Sequence, residues 1–440
     1  MTIEIETQRA LFKREFNRWL KALPEAERKE LDVAKGVYTF APGRGNLIGE
    51  HIDYNGGMVS PITIGAGCFC AAIPRKDSEL HVVNLAGEVS EGELTHTAKV
   101  WLPLDSLFSA EGKLLPEIEA QRFLGERDRW AGLIFGAVYV LLEERLITGE
   151  RLHGLQFAML STVPIASGLS SSAALEVSSL AAASAVFGVK LSGSEMARLG
   201  QRMEHAMRGV PCGRMDQSAA ALGRPNAVLA LDCTKWDSKW HTLPKGWTAL
   251  FVDTAVPRSL ATSAYAQRRA SCEQGLAAIN RIRADAAPNL CSLTPKEFSR
   301  DASHAGLDAE TLKRCQHAVE EQERVRSFMT ALDKGTDISK LGTLLYASHQ
   351  SLKELYEVSC PELDAVVEIA KSIGLKGGIA GARMQGAGFG GCAVLLVRDD
   401  AVDAVKRRVS REYAERTGRK CSFVSGSSPG TVAFGVHPLA

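Results

Sequence analysis

The sequence predicts a mixed helix-and-strand protein built as two closely packed domains. A chain of 440 residues with 45% hydrophobic content is longer than one ordinary core organises. Strand-like and helix-like patterns intermingle along the first half, and the second half carries a run of helices bracketed by short strands. No period of 20 to 50 residues and no low-complexity block interrupts this pattern, which excludes a solenoid or a disordered chain.

Taken in order, Cys68–Ile73 and Leu80–Asn84 read as strands, and Trp130–Leu142 has the length and apolar density of a buried helix. Leu155, Phe157 and Met159 alternate with Gln156 and Ala158 as a strand that stops at the Val163-Pro164 breaker. A glycine-serine turn follows, then a helix of small residues from Ala173 to Phe187 with Gly188 as its stop. Ser192 and Glu195 have capping-box spacing and start a helix reaching about Met207. The remainder predicts a strand ending at Asp253, a helical stretch over Ser259–Ala284, and three helices between Leu307 and Ile373. It closes with strands at Ile379–Met384 and Cys392–Val397, a helix over Asp400–Glu412 and a last strand near Phe423. The lobe boundary is expected between about 225 and 250, which divides the chain into residues 1–235 and 236–440.

With 52 basic and 51 acidic residues the formal charge is +1, so neither nucleic acid nor an anionic membrane surface is an electrostatic fit and a small-molecule partner suits better. The ten cysteines lie at 68, 70, 212, 233, 272, 291, 315, 360, 392 and 421 without a C-x-x-C pair, so reduced, mostly core thiols in a reducing compartment are expected. The acidic, amphipathic start Met1–Glu6 lacks the basic and apolar regions of a secretory signal, and Met58–Pro74, the longest charge-free stretch, reads as strands joined by turns rather than a membrane span. A cytoplasmic location is the expectation.

Three segments carry chemistry. The first is the turn Gly168-Leu169-Ser170-Ser171-Ser172 between a strand and a helix. Unpaired N–H groups at a helix N-terminus, with the helix dipole behind them, favour a phosphate; a serine-capped structural turn fits the same residues. No Walker A loop and no H-R-D catalytic loop occur, so a nucleotide site here belongs to another class. The second is Pro42–Gly57, in which five glycines are mixed with Arg44, Asn46, Glu50, His51, Asp53, Tyr54 and Asn55. Glu50, His51 and Asp53 suit the hydroxyls of a polyol, while a solvated acidic turn and a metal site are the plainer readings. The third pairs Glu204 with Asp216 across the Gly209-Val210-Pro211 break, either as carboxylates converging on one magnesium-friendly cavity or as exposed charges. A glycine cluster at Gly386–Gly391 formally matches G-x-G-x-x-G, but the strand Cys392–Val397 follows it where a dinucleotide fold needs a helix. It marks instead a place where backbone passes close to another surface.

In this order and spacing the segments resemble the galactokinases of the GHMP kinase superfamily. Gly43–Gly57 is similar to the sugar signature, Pro164–Leu175 to the ATP motif and Met384–Cys392 to the third glycine motif; Cys212–Gln217, Ser259–Glu273, Ser348–Leu352 and Pro361–Asp364 match as well. The resemblance implies a two-lobed α+β GHMP kinase fold with ATP and sugar in the cleft between lobes, and phosphate transfer to the anomeric hydroxyl of galactose. It implies that Asp216 and Arg44 are catalytic, that Glu50, His51, Asp53, Gly213 and Tyr265 bind the sugar, and that Ala166, Ser167, Gly168, Leu169, Ser170, Ser171 and Ser172 cradle the phosphates. Ser172 and Glu204 hold Mg²⁺ on this reading, and the enzyme is a monomer or weak homodimer. Gly45 and Ile52 stand where the family usually has Val and Thr, Arg208 and Arg214 replace small or apolar residues, and Ala255 and Ala266 replace asparagines. The extra arginines raise an anionic sugar as an alternative, alongside N-acetylgalactosamine, arabinose, or a non-catalytic sugar sensor.

Overall fold

The computed structural model describes residues 5–439 apart from 88, 92–93, 97, 118–123, 125, 149–151, 166, 210–211, 257–260 and 336. The chain begins with helices α1 (Ile5–Ala22) and α2 (Glu25–Lys29), then strands β1 (Val37–Asn46), β2 (Met58–Val59), β3 (Pro61–Pro74), β4 (Glu79–Asn84), β5 (Val89–Glu91), β6 (Leu94–His96) and β7 (Lys99–Pro103). Next come α3 (Gly132–Glu143), β8 (Leu155–Ser161), α4 (Ser171–Val186), α5 (Gly193–Arg208), α6 (Met215–Leu222), β9 (Ala227–Asp232), β10 (Ser238–Thr242) and β11 (Trp247–Asp253). A helical run follows: α7 (Ala261–Ile282), α8 (Pro295–Ala302), α9 (Ala309–Asp333), α10 (Ile338–Glu354) and α11 (Pro361–Ile373). The chain ends with β12 (Ile379–Met384), β13 (Cys392–Arg398), α12 (Val402–Thr417), β14 (Ser422–Val424), α13 (Thr431–Phe434) and β15 (His437–Pro438).

Among the described residues the larger sheet has nine strands, with the path β10-β9-β3-β8-β4-β7 and with β1, β2 and β15 paired onto it. The smaller sheet is antiparallel, in the order β12-β13-β11-β14. Strand β3 is the spine of the first lobe because its alternating side chains feed two cores. Ile62, Ile64, Ala66, Cys68, Cys70 and Ala72 join the main core, while Phe69, Ala71 and Ile73 join a second one with Phe12 and Phe16 of α1. That double burial explains a run without charge, and it replaces the expected turns within 61–74 by one continuous strand. No helix among the described residues is long and apolar enough to cross a membrane.

Local chemistry accounts for the helices that carry the site. The Ser192/Glu195 capping box forms as the sequence predicts, and α5 ends at Gly209 with φ +65°. Helix α4 is built from Ser, Ala, Leu and Val, whose small side chains let it lie flat on β1 and β3 with eleven of its residues buried. Two elements depart from the expectation. Residues 42–46, the first five of the polar glycine segment, belong to the strand Val37–Asn46, paired with β3. The C-terminal residues return to the first lobe, where β15 pairs with β1.

Candidate active site

The site is assembled around a bulge. Between Pro42 and Arg44 the β1–β3 register shifts, and the main chain there presses against the turn that precedes α4. A Cβ on Gly43 would sit 2.6 Å from the Leu169 carbonyl oxygen, so only glycine lets β1 pass this close. The Arg44 N–H donates to Leu169 O at 3.0 Å, and its guanidinium donates to Gly168 O at 2.9 Å. The same guanidinium holds Asp216: Nε and Nη2 donate to Oδ1 at 2.8 and 2.6 Å. Ser170 Oγ donates to the other carboxylate oxygen, Oδ2, at 2.5 Å. Arg44 is buried to 7% exposure and Asp216 is partly open, so the carboxylate has fixed donors behind it and access in front.

The turn leads straight into a helix N-terminus. Gly168 and Ser170 have φ of +78° and +59°, and between them Leu169 is plugged into the core at 1% exposure. Helix α4 starts at Ser171, so its first N–H groups lack intrahelical acceptors. Ser171 and Ser172 lie half-buried on that first turn; Ser167 instead donates its hydroxyl to Pro164 O at 2.9 Å and shapes the turn. Ala166 lies outside the described residues. Gln385, fully buried at the end of β12, spans both segments: Nε2 donates to Gly168 O at 3.4 Å and Oε1 accepts from the Asn46 N–H at 3.3 Å.

A second group surrounds residues 50–54. Asp53 faces Gly213, where a Cβ would lie 2.5 Å from Asp53 Oδ2. Burial pushes the Asp53 carboxyl up to about 6, and the nearby charges of Asp216 and Glu50 add to the rise. The Tyr265 ring lies 5.6 Å from the His51 ring and 5.4 Å from that of Tyr54. His51 sits in a left-handed conformation, φ +61°, with Nδ1 hydrogen-bonded to the Tyr54 hydroxyl at 2.8 Å; that hydroxyl meets the Tyr356 hydroxyl at 2.8 Å. Burial, with His317 adding to it, pulls the imidazole down to about 3, so His51 is neutral. Glu50 has a protein partner: Arg383, at zero exposure, pairs with its carboxylate and also donates to Asn46 O and Leu47 O. The loop is fastened further by Glu321, whose Oε1 accepts from the Gly49 N–H at 2.9 Å and from Ser348 Oγ at 2.6 Å. His317 Nε2 reaches Glu50 O at 3.1 Å.

A third group lies behind Asp216. Glu204 Oε2 accepts from Gln217 Nε2 at 3.2 Å and from Cys212 Sγ at 3.3 Å, and the same Gln217 nitrogen donates to Glu176 Oε2 at 2.8 Å. Glu176 and Gln217 are at zero exposure, and Glu176 Oε1 and Gln217 Oε1 have no hydrogen-bond partner. Burial, with Glu204 beside it, raises the Glu176 carboxyl well above the carboxylate range, and burial raises Glu204 too. Among the described residues no three His, Cys, Asp or Glu side chains form a protein-only metal cage. An excess of buried acceptors near the N-terminus of α4 fits magnesium, which takes one or two carboxylates and otherwise phosphate and water oxygens.

The structure thus brings Arg44, Asp216 and residues 168–170 into one contact, and His51, Asp53, Gly213 and Tyr265 into an adjoining one. Some of the departures noted in the sequence have a local setting; Ile52 and Ala266 have no structural explanation. A Cβ on Gly45 would fall 1.9 Å from the Phe251 ring, so the larger aromatic occupies the space of the absent side chain. Arg214 lies 4.4 Å over the Trp236 ring and donates to Gln201 Oε1 at 3.2 Å, and Arg208 is exposed. Ala255 has φ +55°, a conformation that asparagine tolerates better. The glycine cluster serves close approach: a Cβ on Gly388 would lie 2.1 Å from Val358 O. Sequence reasoning missed Glu176, Arg383 and Gln385, polar residues inside largely apolar runs, and Glu321, one of several charges on a helix; none has a spacing signal of its own.

Comparison with known proteins matches this geometry. Family models for the galactokinase galactose-binding signature, the GHMP kinase N-terminal domain and the GHMP kinase C-terminal domain match residues 28–74, 132–224 and 328–415. A galactokinase of Actinobacillus succinogenes is 34% identical over 411 residues, 93% of this chain and 97% of its own length. One from Haemophilus influenzae is 34% identical over 409 residues, 93% and 94% of the two chains. The crystal structure of Lactococcus lactis galactokinase complexed with galactose superposes with a TM-score of 0.79 at 31% identity, covering 94% of this chain and 98% of that one. A mevalonate kinase shares the fold at a TM-score of 0.57 and 17% identity, covering 89% and 99%. With end-to-end likeness at this level and all three family segments in order, the chain belongs to the galactokinase family of the GHMP kinases, two-lobed α+β enzymes that are ATP-dependent small-molecule kinases.

Proposed function

We propose that this protein transfers the γ-phosphoryl group of ATP to the anomeric hydroxyl of galactose, giving galactose 1-phosphate and ADP. The observation that carries this reading is the Asp216 carboxylate, gripped by Arg44 on one oxygen and by Ser170 on the other, where the phosphate turn meets the Asp53–Gly213 pair. Asp216 accepts the hydrogen bond of the attacking hydroxyl and orients its oxygen along the line of transfer. The bond between the γ-phosphorus and the bridging oxygen to the β-phosphate breaks as the new oxygen–phosphorus bond forms, and the hydroxyl proton leaves toward Asp216. Arg44, anchored on Gly168 O, presents positive charge to the phosphoryl oxygens during transfer. The N–H groups at the start of α4 hold the phosphates. The residues that would hold a divalent cation are Ser172 and Glu204, and the chemistry such an ion supplies is neutralisation of phosphate charge.

On the sugar side, Asp53 and the neutral His51 take opposite hydrogen-bonding roles, a carboxylate acceptor and an imidazole, with Tyr265 as the adjoining wall. Arg214, engaged by Trp236 and Gln201, supports a neutral sugar over an anionic one. ADP release with Mg-ATP across galactose, N-acetylgalactosamine, arabinose and galacturonate tests the reading. Turnover is expected to be fastest with galactose; absence of turnover with galactose, or preference for galacturonate, refutes it.

A further inference from the structure

Glu176 stands one turn into the helix that begins at the phosphate cradle, yet it points inward: the residue has zero exposure. Its neighbours are the wrong kind for a structural acid. Gln217 gives the same nitrogen to Glu176 Oε2 and to Glu204 Oε2, and Cys212 gives Glu204 one weak S–H bond. Glu176 Oε1 and Gln217 Oε1 are buried without a partner. A buried carboxylate oxygen lacking a donor is costly, and a second carboxylate beside it adds to the cost. Glutamine in place of Glu176 would have the same shape, keep an acceptor for Gln217 and supply the missing donor. A carboxyl retained where its amide would satisfy both orphaned oxygens indicates an acceptor set kept for something that arrives from outside the chain.

We propose that Glu176 is a positioning residue of the phosphate-transfer site: through the shared Gln217 amide it holds Glu204 in an acceptor-rich pocket that a divalent cation, rather than a protein donor, completes. The inference rests on the reading above that Glu204 faces the cation accompanying the nucleotide. Glu176 touches neither sugar nor phosphate in this arrangement; it acts by fixing Glu204 through the shared Gln217 amide. Gln217, next in sequence to Asp216, ties the cation side of the cleft to the hydroxyl-orienting side.

The test compares wild type with Glu176→Gln, and with Glu176→Met in case the amide prevents folding. Three quantities are read: thermal midpoint of the ligand-free protein, Mg²⁺ dependence of calorimetric binding of a non-hydrolysable ATP analogue, and KM for the sugar. Glu176→Gln is expected to melt at or above the wild-type temperature, to need about tenfold or more Mg²⁺ for half-maximal analogue binding, and to keep the sugar KM within about twofold. A lower melting temperature with unchanged Mg²⁺ dependence, or failure of both variants to fold, makes Glu176 a structural acid and overturns the proposal. Wild-type analogue binding that ignores Mg²⁺ overturns the cation reading and this proposal together, whereas Mg²⁺-dependent binding that Glu176→Gln leaves unmoved overturns the proposal alone.

Discussion

At the scale of single residues, the chemistry turns on two carboxylates held in contrasting ways. Asp216 is surrounded by donors, with Arg44 on Oδ1 and Ser170 on Oδ2, so Asp216→Asn removes the charge and the acceptor set while conserving shape. It is expected to lower kcat by about 10²-fold or more and to leave sugar affinity within about tenfold. Steady-state kinetics with equilibrium sugar binding check this, and an unchanged kcat removes Asp216 from catalysis. At Asp53, instead, burial brings the carboxyl to about 6 in the free protein. A raised carboxyl is protonated below that value and ionised above it, and a sugar hydroxyl donates only to the ionised form. The kcat/KM for sugar should therefore fall by about tenfold per pH unit below about pH 6, through a rise in KM, and level off above it. A profile without that break places the sugar elsewhere.

At the scale of elements, much of the architecture was legible because each piece carries a local signal: the capping box of α5, the alternation in β8, the small-residue helix after the turn, the strand rather than helix after Gly391. What was not legible depends on contacts distant in sequence. Strand β1 reads as a loop because Pro42, Gly43 and Gly45 look like turn residues, yet Gly43 is needed to clear Leu169 O and Gly45 to clear Phe251. The apolar period of α1 was present in Phe12 and Phe16 but was overshadowed by its charges, and a two-residue strand such as β15 has no period to read. Arg383 and Gln385 reveal themselves through partners more than two hundred positions away. The Gly45–Phe251 pairing is directly testable. Gly45→Val should cost about 1–3 kcal/mol by overpacking, and Phe251→Leu should recover part of that loss in the double variant. Additive losses in urea unfolding would contradict the pairing.

At the scale of the whole molecule, the two lobes are joined through buried polar contacts at residues 49–50, not through apolar packing alone. Arg383 binds Glu50, Glu321 binds the Gly49 N–H, and His317 reaches the Glu50 carbonyl, so the loop between the lobes is a shared structure. Burial keeps His317 and His51 neutral, with values of about 4 and about 3 against 6.5 in the unfolded chain. Their contribution to stability is fully present above pH 6.5 and is lost as pH falls through the folded values, because the unfolded chain takes up protons first. Thermal unfolding should accordingly move to lower temperature between pH 6.5 and 5, before most carboxylates titrate, and His317→Gln should flatten that slope; a flat wild-type profile would contradict the buried neutral pair. On the proposed reading the arrangement directs one phosphoryl group from the turn at 168–172, past Arg44 and Asp216, to one hydroxyl of a sugar held by residues 50–53. Phosphorus NMR of the product made from ATP and galactose tests that most directly. A single phosphate monoester coupled to the anomeric proton is expected; a phosphate on any other carbon, or no sugar phosphate at all, would contradict transfer to that hydroxyl.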